Sequence, residues 1–122
     1  MTKILLNLIL LVWAVPSFSA TVASVGDGDT IRIRDESGKL TVRLACIDAP
    51  EISQDPFGAR SRDFLKKILP LGTKVTLRIQ AIDRYGRSVA EVFTKKGNIN
   101  QLMVEQGHGF VYRQHLKNCN RS

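Results

Sequence analysis

The most constraining feature of the sequence is a strand-like run that ends in a charged turn, written RLACIDAPE over residues 43–51. Its alternation of residue types predicts a strand with Leu40, Val42, Leu44 and Cys46 facing a core, and with Thr41, Arg43 and Ala45 on the other face. Pro50 has no backbone N–H, so we expect sheet pairing to end near it. The simplest alternative is a strand followed by a solvated acidic turn, and this stretch alone does not decide between that turn and a reactive site.

Two further turns favour a reactive site over a solvated turn. Residues 27–30 read DGDT before a strand-like run, and residues 83–87 read DRYGR between two others. Each is an ordinary turn by composition. Together with residues 43–51 they add carboxylates and arginines at strand ends, without a Ser/His or Cys/His pair. That combination points to phosphate chemistry assisted by a hard cation.

The three motifs, in this order and spacing, resemble those of the staphylococcal nuclease family from about residue 21 to about residue 113. The resemblance implies an OB-fold, a five-stranded barrel of the α+β class that is mainly β. The order of elements agrees: three strands up to Cys46, a helix from Asp55-Pro56 to Pro70, strands over 75–81 and 87–94, and a helix ending at Gly107. Asn98 or Asn100 is expected to cap this second helix.

Chemistry and resemblance together suggest a role for each candidate. Arg43 and Arg87 would place positive charge on the phosphate oxygens in the transition state, because neither loses its proton near neutral pH. Glu51 is the candidate general base. Asp29, Asp48 and the carbonyl of Ala49 match the positions at which the family binds calcium, which implies Ca²⁺ as cofactor. Asp27 is expected to be a turn residue instead of a ligand.

Substrate contacts are expected from three further residues. Arg84 and Tyr85 match the family's positions for a terminal nucleotide phosphate, although the family commonly has lysine at the first. Tyr112 has two interpretations, a base-stacking side chain or a tyrosine of the core or rim. The implied activity is a calcium-dependent, sugar-nonspecific nuclease acting on DNA and RNA, preferably single-stranded, as a monomer, with 3′-phosphorylated products.

Composition supports a polyanionic partner. The chain has 122 residues, enough for one small domain, and a net charge of +7, which favours nucleic acid or another anionic surface. Lys3, an apolar run over 4–15 and small residues to Ala20 predict a signal peptide over residues 1–19 and a mature domain over 20–122. Cleavage after Ala20 and an uncleaved anchor are the alternatives. We therefore expect a secreted or periplasmic protein without stable membrane association after cleavage.

Because the protein is expected to be exported, its two cysteines, Cys46 and Cys119, are candidates for a disulfide. An oxidising compartment permits a bridge between them, and a buried free thiol at Cys46 is the alternative. Members of the family usually carry another helix after the region of His115, for which a chain ending at Ser122 has no room. Two alternatives to a nuclease are a non-catalytic OB domain that binds nucleic acid and a truncated inactive nuclease. A third is metal-free RNA cleavage by His108 and His115. Their positions in a turn and in the polar tail disfavour this third function.

Overall fold

The computed structural model describes residues 17–112 of the chain, and side chains from residue 19 onward. It contains eight strands and two helices within that range. The elements in chain order are β1 Ser17–Asp27, β2 Thr30–Asp35, β3 Gly38–Leu44, β4 Ile47–Asp48, α1 Phe57–Ile68, β5 Lys74–Ile82, β6 Ser88–Thr94, β7 Gly97–Asn98, α2 Ile99–Glu105 and β8 Phe110–Val111. The predicted sequence of three strands, helix, two strands and helix is confirmed for the long elements.

Five of the strands close into a barrel, as an OB-fold requires. The sheet order is β3-β2-β1-β5-β6, and a parallel pairing of β3 with β6 joins the two edges. The long first strand contributes its early residues to β5 and its later residues to β2. The fold prediction is thus confirmed, and the closure brings the end of β3 beside the start of β6.

The barrel interior is filled by the inward residues of the alternating strands. Ile31, Ile33, Val42 and Leu44 are fully buried, and α1 covers one end of the barrel with Leu65 and Ile68. This burial of one strand face is what the period-two pattern predicts. The spacing of apolar residues predicts Phe57 on the same apolar face of α1 as Leu65 and Ile68, but Phe57 is 60% exposed.

The third strand is shorter than predicted. β3 ends at Leu44, and Cys46 has a left-handed backbone with φ of 66°. The alternation predicts Ala45 on the outer face. Ala45 is buried instead, as are both of its neighbours, because the strand has already ended at Leu44 and side chains no longer alternate. The Ala45 N–H donates to the carbonyl of Ala90 at 2.8 Å. This bond to a distant segment ends the alternation five residues before Pro50.

The second helix is capped by Asn98, whose side chain accepts a hydrogen bond from the N–H of Gln101 at 3.2 Å. Asn100, the other candidate cap, is instead buried in the interior. Within the described residues, no helix combines the length and apolar character that a membrane crossing requires. The predicted bridge partner Cys119, His115 and most of the predicted signal segment lie outside the described residues, so these expectations stay predictions.

Candidate active site

Arg43 lies at the centre of the site, next to the end of β3. Its Nη1 donates to the carbonyls of Leu44 at 2.7 Å and Ile47 at 2.9 Å. Its Nη2 lies 3.4 Å from carboxylate oxygens of both Asp29 and Asp48. The two bonds to carbonyls hold the guanidinium beside the turn that follows β3. In this position the cation lies between the two carboxylates. The structure brings together three of the predicted site residues here.

Strand pairing explains why these residues meet. Thr30 of β2 lies opposite Arg43 of β3, so Asp29 sits one residue before that pair. The N–H of Leu44 donates to the carbonyl of Asp29 at 2.8 Å and extends the ladder to it. Gly28 keeps the preceding turn close to the rest of the site, because a Cβ there would lie 2.8 Å from Cβ of Ala49. Any larger residue would push the Asp29 turn away from Ala49.

Asp29 is the most buried acid of the site, with 7% of its surface exposed. It accepts hydrogen bonds from the N–H of Ala49 at 3.0 Å and from Oγ1 of Thr30 at 3.1 Å. Burial raises the pKa of the Asp29 carboxyl to about 6, although the Ala49 bond and the charge of Arg43 oppose the rise. Asp27 accepts the N–H of Asp29 at 3.1 Å. It therefore acts as the turn residue predicted, while its charge adds to the raised pKa of its neighbour.

The three predicted calcium ligands differ in accessibility. The side chain of Asp48 is 62% exposed, whereas that of Asp29 is 9% exposed. Among the described residues, no three His, Cys, Asp or Glu side chains cluster as a metal site. The groups present are oxygens of two neighbouring carboxylates and a main-chain carbonyl, which are ligands of the kind calcium prefers. The donor set therefore fits a hard cation whose remaining ligands come from water or substrate.

Glu51 follows Pro50 in an exposed loop whose backbone is held in place. Its N–H donates to Oε1 of Gln54 at 2.7 Å, and its carbonyl accepts the N–H of Gln54 at 2.8 Å. Gly58 at the start of α1 packs so closely that a Cβ there would lie 1.9 Å from the Glu51 carbonyl oxygen. The Glu51 carboxylate forms no hydrogen bond or ion pair in the described part of the chain. Its backbone is fixed and its carboxylate is available.

Arg87 is held within its own turn. Its Nε donates to Oδ2 of Asp83 at 2.7 Å, and the guanidinium lies 5.4 Å from the ring centre of Tyr85. Burial alone would raise the pKa of Asp83, but hydrogen bonds from the N–H and side chain of Arg87 and from the N–H of Tyr85 hold it below its usual value. Arg87 forms no hydrogen bond or ion pair with Asp29, Glu51 or Arg43 within residues 17–112. The terminal nitrogens of Arg87 form no hydrogen bond among the described residues.

Backbone register nevertheless places the two arginines on one face. In the parallel β3–β6 pair, Val42 lies opposite Ser88 and Arg43 opposite Val89. Arg87 directly precedes Ser88, and Arg43 directly follows Val42. Because side chains alternate between faces, both arginines lie on the face opposite to Val42 and Ser88. The Asp83 ion pair determines where the guanidinium of Arg87 points.

The predicted substrate residues are on the surface. Arg84 donates to the hydroxyl of Tyr85 at 2.8 Å, and Tyr85 is 68% exposed. Tyr112 is 40% exposed, which favours a rim position over the core, and its N–H donates to the carbonyl of Cys46 at 2.8 Å. His108 stacks on Phe64 with ring centres 4.3 Å apart.

Two residues important for the site's geometry were not predicted. The buried amide of Asn100 donates to the carbonyls of Ala45 and Ala90 and accepts the N–H of Val92. Ser61 of α1 is fully buried and donates to the carbonyl of His108 at 2.6 Å. Asn100 ties the turn after β3 to β6, and Ser61 ties α1 to the segment before β8. A polar residue on the inward side of each helix was the only sequence signal for either.

Comparison with known proteins identifies related chains. The profile described as staphylococcal nuclease homologue matches residues 41–122. An uncharacterized endonuclease of Escherichia coli O157:H7 is 42% identical over 95 residues, which cover 77% of this chain and 61% of the relative. An uncharacterized endonuclease of Haemophilus influenzae is 39% identical over 120 residues, covering 93% and 66%. A micrococcal nuclease of Shigella flexneri is 36% identical over 121 residues, covering 89% and 68%. The chain thus spans about two thirds of the length of these relatives.

Proposed function

The chain belongs to the family of staphylococcal nuclease homologues, and from that membership we propose that it is a nuclease that hydrolyses phosphodiester bonds of DNA and RNA. The endonuclease and micrococcal nuclease names of its relatives support this class of reaction. The net charge of +7 suits a polyanionic substrate. We propose single strands as the preferred substrate, no discrimination between sugars, action as a monomer, and export after removal of residues 1–19.

The observation that carries the proposal is the fixed position of Arg43. Two carbonyls and two carboxylates hold its guanidinium beside Asp48, three residues before the available carboxylate of Glu51. A guanidinium held this way offers a permanent charge that needs no reorganisation when negative charge develops on the phosphate. In this proposal Arg87 supplies the second guanidinium through its terminal nitrogens, while Asp83 holds its Nε.

The reaction proposed is an in-line displacement by water. Glu51 accepts a proton from the water as the water oxygen bonds to phosphorus. The bond between phosphorus and the 5′-oxygen breaks, and the leaving oxygen takes a proton from solvent. The products are a 3′-phosphate and a free 5′-hydroxyl. Arg84 and Tyr85 would hold the neighbouring phosphate, and Tyr112 would stack on a base.

We propose that Asp29, Asp48 and the carbonyl of Ala49 hold Ca²⁺. When bound, the ion would supply Lewis-acid charge to a phosphoryl oxygen. Arg43 lies between the same two carboxylates and orients them. Because only two carboxylates would bind directly, we expect a dissociation constant of about 10⁻⁴ to 10⁻³ M, as in extracellular modules. Saturation of activity by micromolar calcium would contradict this ligand set.

The test is cleavage of a labelled single-stranded oligonucleotide by residues 20–122, with calcium or with chelator. We expect cutting only with calcium. Glu51→Gln should bind the oligonucleotide and cut it about 10²- to 10⁴-fold more slowly, the usual contribution of a general base. Glu105→Gln removes a carboxylate at the exposed end of α2 and serves as the matched control. Equal cutting by Glu51→Gln and Glu105→Gln would remove Glu51 from the mechanism.

A non-catalytic OB domain that binds single strands is the second candidate function. The observation that favours it is the Asp83 ion pair, which points Arg87 toward its own turn. In that case the unmutated protein would bind the oligonucleotide and leave it intact with calcium. Asp83→Asn separates the two functions further: a nuclease that uses Arg87 should cut at a changed rate once Arg87 is released, whereas a binding domain should still leave the oligonucleotide intact.

A further inference from the structure

A groove of about 540 Å³ opens beside the candidate active site. Asp48 and Ala49 belong to its lining. Phe57 and Arg60, from the first turn of α1, form one wall, and His108 and Phe110 lie in the segment that forms the other. The volume falls in the range of roughly 300–1,000 Å³ typical of small-molecule sites. None of the roles assigned above to Arg43, Glu51 or Arg87 uses this groove.

The walls of the groove are held by the fold. Phe110 of β8 pairs directly with Asp48 of β4, so one wall is in register with the active site. The Ser61 hydroxyl bonds the His108 carbonyl at 2.6 Å and joins the two walls behind the groove. His108 also stacks on Phe64 of α1 at 4.3 Å. Hydrogen bonds and ring stacking therefore hold α1 and the segment before β8 together beside the groove.

The chemistry of the groove suits a nucleotide. Phe57 is 60% exposed and Phe110 is 70% exposed, so two aromatic rings line one opening. Exposed aromatic rings are platforms on which single-stranded bases stack. The charged residues of the groove are Arg60 and Asp48, and Asp48 is the residue that the proposed calcium site would neutralise. Arg60 is exposed and forms no ion pair in the described part of the chain, which leaves its guanidinium for a phosphate. The arrangement offers a base site and a phosphate site side by side.

We propose that this groove binds the nucleotide next to the scissile phosphate, with its base against Phe57 and its phosphate on Arg60. The proposal rests on the proposed nuclease function and extends it to a subsite. Continuity carries the assignment, because Asp48 belongs both to the groove and to the cluster around Arg43. A strand whose phosphate lies at Arg43 would pass directly into the groove at Asp48.

The first experiment measures binding without cleavage. Fluorescence anisotropy of a labelled single-stranded oligonucleotide is recorded in chelator for the full chain and its variants. Phe57→Ala should weaken binding about fivefold to tenfold, the low end of the effect of one stacked base. Phe57→Tyr keeps a stacking ring and should restore the affinity. Leu71→Ala truncates another exposed apolar residue, 75% exposed and outside the groove, and should bind like the unmutated protein.

The second experiment separates a phosphate contact from net charge. Arg60→Ala should reduce the slope of log affinity against log salt by about 0.7, as expected for one phosphate contact to a single strand. Lys66→Ala removes one charge from the last turn of the same helix and should leave the slope unchanged. Equal slopes for the two variants, or equal affinities for Phe57→Ala and Leu71→Ala, would overturn the proposal.

Kinetics distinguish failure of the subsite from failure of the proposed function. With calcium, Phe57→Ala should lose at least about fivefold more kcat/KM on the oligonucleotide than on a nitrophenyl phosphodiester of a single nucleoside. Equal losses on both substrates would assign Phe57 a general role and refute the subsite. If the unmutated protein cuts neither substrate, the nuclease function fails, and the anisotropy series then decides whether the groove binds nucleic acid.

Discussion

Arg43 shows how one residue joins structure and proposed chemistry. Its Nη1 and Nη2 together reach two carbonyls and two carboxylates, which a single ammonium cannot do. We predict that Arg43→Lys lowers the single-turnover cleavage rate about 10²- to 10³-fold, the cost of losing one preorganised transition-state contact. Arg62→Lys is the control, because among residues 17–112 Arg62 pairs only with the neighbouring Asp63 on the surface. A rate for Arg43→Lys within a few fold of this control would show that charge alone is sufficient.

Asp29 combines a proposed functional role with a cost to the fold. Burial raises its folded-state pKa to about 6, above the roughly 3.9 of an unfolded aspartate. A group with a raised folded pKa contributes stability that is present below the unfolded pKa and lost as pH rises through the folded pKa. Without calcium, ionised Asp29 therefore destabilises the fold at neutral pH.

We predict that Asp29→Asn raises the free energy of unfolding in chelator by about 1–2 kcal/mol at about pH 7.5, and abolishes cleavage. This is less than the roughly 3 kcal/mol that two pKa units represent, because asparagine attracts Arg43 less strongly. At about pH 4 the gain should vanish, since aspartate is then protonated in the fold. Asp63→Asn, which makes the same charge change at an exposed site, controls for net charge. A less stable Asp29→Asn at neutral pH would contradict the burial argument.

At the scale of the elements, local pattern was enough wherever one face of a strand is buried. The alternation over β3 predicted that Val42 and Leu44 face the core, and both are buried there. The OB-fold was predicted from the order of the elements and from the family resemblance. The predicted end of β3 was wrong. The observed end depends on a hydrogen bond from Ala45 to Ala90, which the local sequence does not indicate. Phe57 was misplaced for a similar reason: it lies in the first turn of α1, beside a groove instead of over the core.

The candidate site, too, was predictable in part from the sequence. The association of Arg43 with Asp29 and Asp48 follows from strand ends that pair, and the motifs indicated those ends. The direction of the Arg87 side chain follows from its bond to Asp83 in the same turn, which residue types alone do not decide. Asn100 was predictable as a polar residue near a helix start but not as a tie to β6.

The side chain of Asn100 joins α2 to β6 and to the turn after β3, and we expect its removal to lower the free energy of unfolding substantially. Its amide satisfies the Val92 N–H and the carbonyls of Ala45 and Ala90, all in the interior. We predict that Asn100→Ala lowers the free energy of unfolding by about 3–5 kcal/mol, because buried polar groups lose their partners. Asn98→Ala removes the helix cap and a bond to Glu91 and should cost only about 1–2 kcal/mol. Urea unfolding checks both, and equal losses would show that the turn after β3 is held by other contacts.

At the scale of the whole molecule, barrel closure is what assembles the candidate site. Asp29 and Arg43 come from the β2–β3 end of the barrel sheet, Asp48 comes from β4 just after it, and Arg87 comes from the segment before β6. The parallel β3–β6 pairing joins these two regions, which are far apart in the chain. A fold that left the sheet open would separate Arg87 from the cluster. Stability of the closed barrel is thus a condition for the proposed chemistry.

The start of the mature chain tests that condition. β1 begins at Ser17, so the predicted cleavage after Ser19 removes three pairings with β5, those of Arg78, Leu77 and Thr76. The pairings of Ala20 and Thr21 with β5 remain, and those with β2 are untouched. Signal removal acts on an unfolded chain, so strand geometry does not prevent it.

We therefore predict that residues 20–122 unfold cooperatively on heating and are less stable than residues 17–122 by only about 1–3 kcal/mol, the net worth of a few terminal ladder bonds. Amino-terminal sequencing of the exported protein should read from Ala20. A flat trace for residues 20–122 beside a cooperative one for residues 17–122 would place the cleavage site earlier in the chain. Flat traces for both would favour an inactive remnant, because a barrel that does not close cannot hold Arg43 between its two carboxylates.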